Sequence, residues 1–214
     1  MIETDGAATA IFTRSPEREF LNNAVLARGA GNPGATLDTI ERAYADRGVE
    51  RYAIWVHESE VTGADEIKAR RYDHDTSTRT LAMRTADLRE VDTSGLDLVE
   101  TSLEEFWSIA GVDGMVPELQ SEGAHFYVSR FNGENAATLM AFDHDGDCGI
   151  YMVGTATAAR RHGLATALSA LAVTDAIERG CTTASLQSTK MAEGIYTRVG
   201  FRDLGRFDEY VPRS

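Results

Sequence analysis

The sequence predicts an α/β (α+β) fold, an antiparallel meander leading into β-α-β-α-β around a mixed sheet, and three observations carry that prediction. Asn132-Gly133 and Asp145-Gly146, dipeptides that favour tight hairpin turns, separate the apolar runs 125–131, 136–142 and 148–153. Leu164, Leu168 and Leu171 then fall on one helical face at i, i+4 and i+7, in a helix that stops near Gly180. Between the third strand and this helix lies an arginine-glycine turn, residues 160–165.

From the N-terminus, Leu37, Ile40 and Tyr44 define a helix ending at Arg47-Gly48, and a strand follows over residues 51–56. A further helix over 64–71 and a strand over 79–84 complete this half. Asp92-Thr93-Ser94-Gly95 has turn formers and no sustained apolar period, so it marks a boundary between regions 1–95 and 96–214. Ser102 and Glu105 form a capping box for a helix that buries Leu103, Phe106 and Trp107, with a second helix expected around 116–122. After the meander and the long helix come a β-branched strand over 182–188, a short helix over 191–198 and a last strand over 205–211.

The turn is where chemistry enters. A helix start leaves N–H groups unpaired at the positive end of the dipole, and a glycine lets a large anion approach the backbone. A plain strand-to-helix turn is the alternative. The spacing Arg160-x-x-Gly163-x-Ala165 after a strand resembles the acyl-CoA pyrophosphate loop of the GNAT superfamily of N-acetyltransferases. The resemblance extends over roughly residues 96 to 214. It implies that Arg160, Arg161, His162, Gly163, Leu164, Ala165 and Thr166 hold acetyl-CoA as cosubstrate. It also implies that the third meander strand splays from its neighbour at Tyr151, Met152 and Val153, freeing an N–H to polarise the thioester.

Ile195-Tyr196-Thr197-Arg198-Val199-Gly200-Phe201 is the second motif. In the family such a tyrosine points toward the coenzyme sulfur, so the resemblance makes Tyr196 the general acid for the departing thiolate. A phenol suits this because it remains protonated at neutral pH. Packing of the short helix is the other reading of Tyr196. Many relatives have asparagine seven residues earlier, contacting the pantetheine arm. Here that position is Thr189. The implied reaction is direct attack by an amine, with His125, Asp143 and Tyr151 as open candidates for accepting its proton, and Trp107, Val112, Met115 and His125 near the acceptor pocket. An acyl-CoA-binding or regulatory module without transfer chemistry is the alternative, and a scaffold for protein interaction is a third reading.

The N-terminal half looks like a partial, degenerate repeat of this arrangement. It has Arg28-x-x-Gly31 before its helix, but Asn32-Pro33-Gly34 biases the chain toward a turn where a working cradle needs smooth helix, and Ile67 occupies the place of Tyr196. One acetyl-CoA per chain is therefore expected.

A formal net charge of −13, from 34 acidic against 21 basic residues, disfavours nucleic acid as a partner and suits a small cationic amine substrate. No apolar run approaches membrane-spanning length and no signal-peptide pattern opens the chain, so neither membrane association nor export is expected and cytoplasm is the expected location. The two cysteines, Cys148 and Cys181, read as buried thiols. The run 143–147 resembles a metal loop but lacks the later bidentate glutamate and sits where a hairpin must turn, so no metal is expected. A monomer or homodimer is expected.

Overall fold

The computed structural model describes residues 2–4, 6–29, 31–110 and 122–213. In chain order its elements are β1 (Ile2–Thr4), β2 (Ala7–Thr9), β3 (Asn23–Leu26), α1 (Pro33–Ala45), β4 (Ala53–His57), α2 (Val61–Ala69) and β5 (Tyr72–Arg84), then β6 (Asp97–Thr101), α3 (Leu103–Ala110), β7 (Ala124–Phe131), β8 (Glu134–His144), β9 (Asp147–Thr155), α4 (Leu164–Glu178), β10 (Thr183–Ser188), α5 (Glu193–Val199) and β11 (Arg202–Pro212). The chain forms two compact units, one of Met1–Thr78 with Gly205–Ser214 and one of Arg79–Leu204. The boundary read from the sequence, at 95/96, falls inside the second unit.

In the second unit, β6, β7, β8 and β9 pair antiparallel in succession. β9 then pairs parallel with β10, which pairs antiparallel with residues 79–84 of β5. The hairpin dipeptides act as their chemistry dictates: Asn132 and Gly133 have φ of 55° and 82°, and Asp145 and Gly146 have 48° and 77°. Positive φ at both central positions is the type I′ signature, whose twist matches that of the flanking strands. Core residues Leu139, Ile150, Leu164, Leu168, Val173, Leu186 and Val199 are at most 5% exposed and join α4 to one face of β8, β9 and β10. On the other face Phe106 of α3 packs on Phe126 of β7, ring centres 5.2 Å apart.

In the first unit, β1, β2 and β3 are antiparallel, β3 and β4 are parallel, and β4 pairs antiparallel with residues 207–210 of β11. Leu37, Ile40, Tyr44, Ile54 and Ile67 form its core. Each half of the chain thus contains the order three strands, helix, strand, helix, strand, preceded in the second half by β6 and α3, and the closing strands are exchanged, since β5 ends in the second unit and β11 in the first. The sequence reading missed β1, β2, β3 and β6. These are short or only half-buried strands with little period-2 signal.

Pro33 behaves differently from the sequence expectation. It is the first helical residue of α1, and Asn32 caps that helix by accepting from Ala35 N at 3.1 Å. Proline is tolerated there because the N–H it lacks would have no intrahelical partner anyway. The helix expected at 116–122 lies almost entirely outside the described residues.

Candidate active site

The site is built on one edge of β9. Along β8 the register runs Thr138 opposite Gly154, then Met140 opposite Tyr151, so Leu139 alone faces both Met152 and Val153. This is a β-bulge, with Met152 at φ 51°, a left-handed conformation that an L residue adopts only when its surroundings enforce it. Thr138 Oγ1 donates to Met152 O at 3.4 Å. On the opposite edge, the parallel ladder with β10 runs from Asp147–Thr183 to Ile150–Leu186 and stops, although β9 continues to Thr155 and β10 to Ser188. Beyond Ile150 the strands diverge, and the edge of β9 from Tyr151 onward turns backbone groups into the gap without a ladder partner. The gap opens at Tyr151, Met152 and Val153, the three residues named from the sequence.

The cradle follows directly. Gly163 caps α4 with φ 81° and ψ −2°, and a Cβ there would meet no atom within 4 Å, so the glycine serves backbone conformation in open space. No side chain caps this helix, and its first backbone bond runs from Ala167 N to Gly163 O at 2.9 Å. The N–H groups of Leu164, Ala165 and Thr166 are therefore left for an outside acceptor. Leu164, 1% exposed, anchors the turn in the core. Arg160, Arg161 and His162 are exposed, and none is ion-paired among the described residues, although many arginines of this acidic chain have a carboxylate within 4 Å. Arg160 Nε donates to Thr155 O at 3.2 Å, and the His162 ring lies 4.4 Å from that of Phe131.

Tyr196 is 5% exposed on α5 and meets Phe201 edge-on at 6.0 Å. Burial pushes its pKa up to about 12, so the phenol keeps its proton throughout the neutral range. Thr189 is exposed just past β10, and its carbonyl accepts from Ala192 N at 2.9 Å, which turns the chain toward α5.

Two of the three candidate proton acceptors are engaged in ion pairs. Asp143 pairs across the sheet with Cys148, at the start of β9, and receives Arg179 Nε at 2.5 Å and Nη2 at 3.2 Å. Burial would raise its pKa, but the hydrogen bonds and charge of Arg179 hold it below the ordinary carboxylate value. His125 is tied to Glu100 at 2.9 Å and faces Asp143 at 3.8 Å. Both side chains lie on the face that meets α4, in an ionic cluster with Arg179, His125 level with Ile150 through Ala141 and Asp143 level with Cys148, whereas Tyr151 faces the other side of the sheet beside the gap. Trp107 is 7% exposed on α3, and its indole N–H has no partner among the described residues. Val112 and Met115 lie outside the described residues.

A bulged strand diverging from its parallel neighbour and followed by an uncapped, glycine-opened helix is the arrangement that the resemblance to the GNAT superfamily implied. The model of the acetyltransferase (GNAT) family matches residues 93–201, and the chain belongs to that family. Acyl transfer is the activity the family supports. Among solved structures, a GCN5-related N-acetyltransferase from Kribbella flavida is 22% identical, covers 100% of this chain and 89% of its own, and has a TM-score of 0.79. A GCN5-related N-acetyltransferase from Sphaerobacter thermophilus is 15% identical over 96% of this chain and 76% of its own, with a TM-score of 0.66. A GCN5-related N-acetyltransferase-like protein from Streptococcus suis is 15% identical over 97% and 84%, with a TM-score of 0.65. At these identities the likeness is one of fold. No curated protein matches the chain. Among the described residues, no helix is long and apolar enough to cross a membrane.

Proposed function

We propose that the chain is an N-acetyltransferase that takes an acetyl group from acetyl-CoA and passes it directly to a small-molecule amine. One observation carries this reading: the gap beside Tyr151 and the uncapped start of α4 lie within a single run of residues, 151–166, as one extended thioester coenzyme would need. The N–H groups of Leu164, Ala165 and Thr166 receive the pyrophosphate, with Arg160, Arg161 and His162 adding positive charge around it. The free edge of β9 at Tyr151, Met152 and Val153 hydrogen-bonds the pantetheine arm and polarises the thioester carbonyl. The bulge fixes where that donor sits before the substrate arrives.

Holding amine and thioester together supplies much of the rate. The neutral amine forms the new C–N bond as the C–S bond breaks, and the proton of the amine leaves to solvent in the gap. Tyr196 donates a hydrogen bond to the departing sulfur. A phenol at about 12 is a weaker acid than a thiol, ordinarily about 8.5, so Tyr196 stabilises the thiolate while the last proton arrives from water. The first test is a thermal shift with acetyl-CoA followed by thiol release over an amine panel. Stabilisation with turnover is expected. Stabilisation without turnover on any amine would mean a binding module, and no stabilisation would remove the coenzyme assignment.

A further inference from the structure

The face of the second unit opposite α4 changes character along the sheet. Over β7 and β8 it is apolar and packed by α3, where Phe106 meets Phe126, and Phe126 stands opposite Met140. Over β9 and β10 it becomes polar. Asp147, Gly149 and Tyr151 alternate onto this face with Thr183 and Ser185, because Asp147 pairs with Thr183 and Gly149 with Ser185. Tyr151 is 52% exposed. Its ring folds back along the strand over Gly149, where a Cβ would stand 2.6 Å from the ring and 2.7 Å from the hydroxyl. Any side chain at 149 would lift that ring away. Beyond it, Thr183 Oγ1 donates to Asp147 Oδ1 and Ser185 Oγ to Oδ2, each at 2.6 Å.

Two hydroxyls thus fix the carboxylate without neutralising it. Each oxygen keeps a lone pair for a further donor, and no cation pairs with Asp147 among the described residues. The nearby charges on this face are committed elsewhere: Arg84, opposite Thr183, bonds Asp87 at 3.3 Å, and His144, opposite Asp147, faces Asp145 at 3.5 Å. The result is an oriented anion on the same strand and face as Tyr151, five residues before Met152 at the bulge. At roughly 3.3 Å per residue the separation along the backbone is about 16 Å.

We propose that Asp147 is the distal specificity residue of the acceptor site, binding the second ammonium of a long diamine or polyamine whose other amine reaches the acyl group at the bulge. The methylene chain lies along Tyr151, whose ring supplies an apolar edge and whose hydroxyl supplies a hydrogen bond. This rests on the acetyltransferase reading above and adds to it the class of acceptor.

The test is kcat/KM for thiol release from acetyl-CoA with α,ω-diamines of four to twelve carbons, each matched to a monoamine of the same length. It is run on the wild type, on Asp147→Asn, and on the Thr183→Ala/Ser185→Ala double variant, with calorimetric acetyl-CoA affinity as the check that each is folded. Expected are a rise of tenfold or more between the shortest and longest diamines in the wild type, no such rise for monoamines, and loss of the diamine preference in Asp147→Asn with unchanged coenzyme affinity. The double variant, which frees the carboxylate to wander, should retain only part of the preference. Turnover of amines with no dependence on a second charge, or an Asp147→Asn variant as selective as wild type, would overturn the proposal while leaving acetyl transfer intact. Absence of turnover on every amine would overturn both.

Discussion

Tyr196 is buried and Asp143 half-buried, both are ionisable, and their partners give them opposite uses. Tyr196 has burial alone acting on it, so it stays neutral and can donate. Tyr196→Phe should lower turnover roughly 10²-fold with little change in coenzyme affinity, as removal of a positioned donor does. Steady-state kinetics beside calorimetry check this, and wild-type turnover would reduce Tyr196 to packing. Asp143 has Arg179 beside it, and its depressed pKa means the ion pair contributes stability at pH values above the ordinary carboxylate range and loses it as pH falls through the lowered value. Arg179→Ala should therefore cost about 1–3 kcal/mol near neutrality, the penalty for taking the main donor from a half-buried carboxylate. Chemical denaturation should show the difference from wild type shrinking below about pH 4, where an unperturbed carboxylate protonates. A deficit unchanged by acid would contradict the ion-pair account. The sequence offered Asp143 and His125 as proton acceptors because residue type is visible there. Their engagement with Glu100 and Arg179 on the α4 face depends on partners distant in the chain, which are not.

At the level of elements, the parts with local causes were legible. Both hairpins, α4 and β10 follow from turn dipeptides and apolar period, and the glycine that opens α4 follows from the arginine-glycine turn, whereas the divergence of β9 at Tyr151 was implied by the family resemblance alone. Strands whose existence depends on distant partners were harder to see: β6 is held by β7, and β1 to β3 by one another. The α1 start shows how a local rule can be read in the wrong direction. Asn32-Pro33 reads locally as a turn that interrupts a helix, but here it opens one. The same cap explains why this turn differs from its counterpart. Asn32 already accepts from Ala35 N, and the Glu66 carboxylate comes within 3.3 Å of where a Cβ on Gly34 would lie, so a donor is taken and a negative charge stands close to the first turn. Gly163 leaves its helix uncapped and without such a neighbour. Asn32→Ala should destabilise the fold by about 0.5–2 kcal/mol, as lost caps do, whereas at Gly163 there is no side-chain cap to lose. Denaturant melts of the variant measure this. In α4, Leu168 is 0% exposed, and Leu168→Ala should cost about 2–5 kcal/mol by the same method, with a loss under 1 kcal/mol contradicting its place in the core.

Over the whole chain, the repeat was visible in sequence as a recurring helix, strand, helix and strand, but the exchange of β5 and β11 between units was not. Local pattern specifies that a strand forms and leaves open which neighbour it joins. The exchange makes the last residues of the chain part of the unit that the first residues build, with Phe207 standing opposite His57 and Tyr210 opposite Ile54. The central claim is a proposed asymmetry of function between two halves of one architecture: one is proposed to bind acetyl-CoA through the uncapped turn at Gly163, while the equivalent turn of the other is capped by Asn32. Calorimetric titration of the intact chain with acetyl-CoA tests it most directly, alongside a Gly163→Glu variant that puts bulk and negative charge where the pyrophosphate approaches the helix. The account predicts a stoichiometry near one for the wild type and no measurable binding by a natively folded variant, as judged by circular dichroism. A stoichiometry near two that falls to one in the variant, or an affinity the variant leaves unchanged, would contradict it.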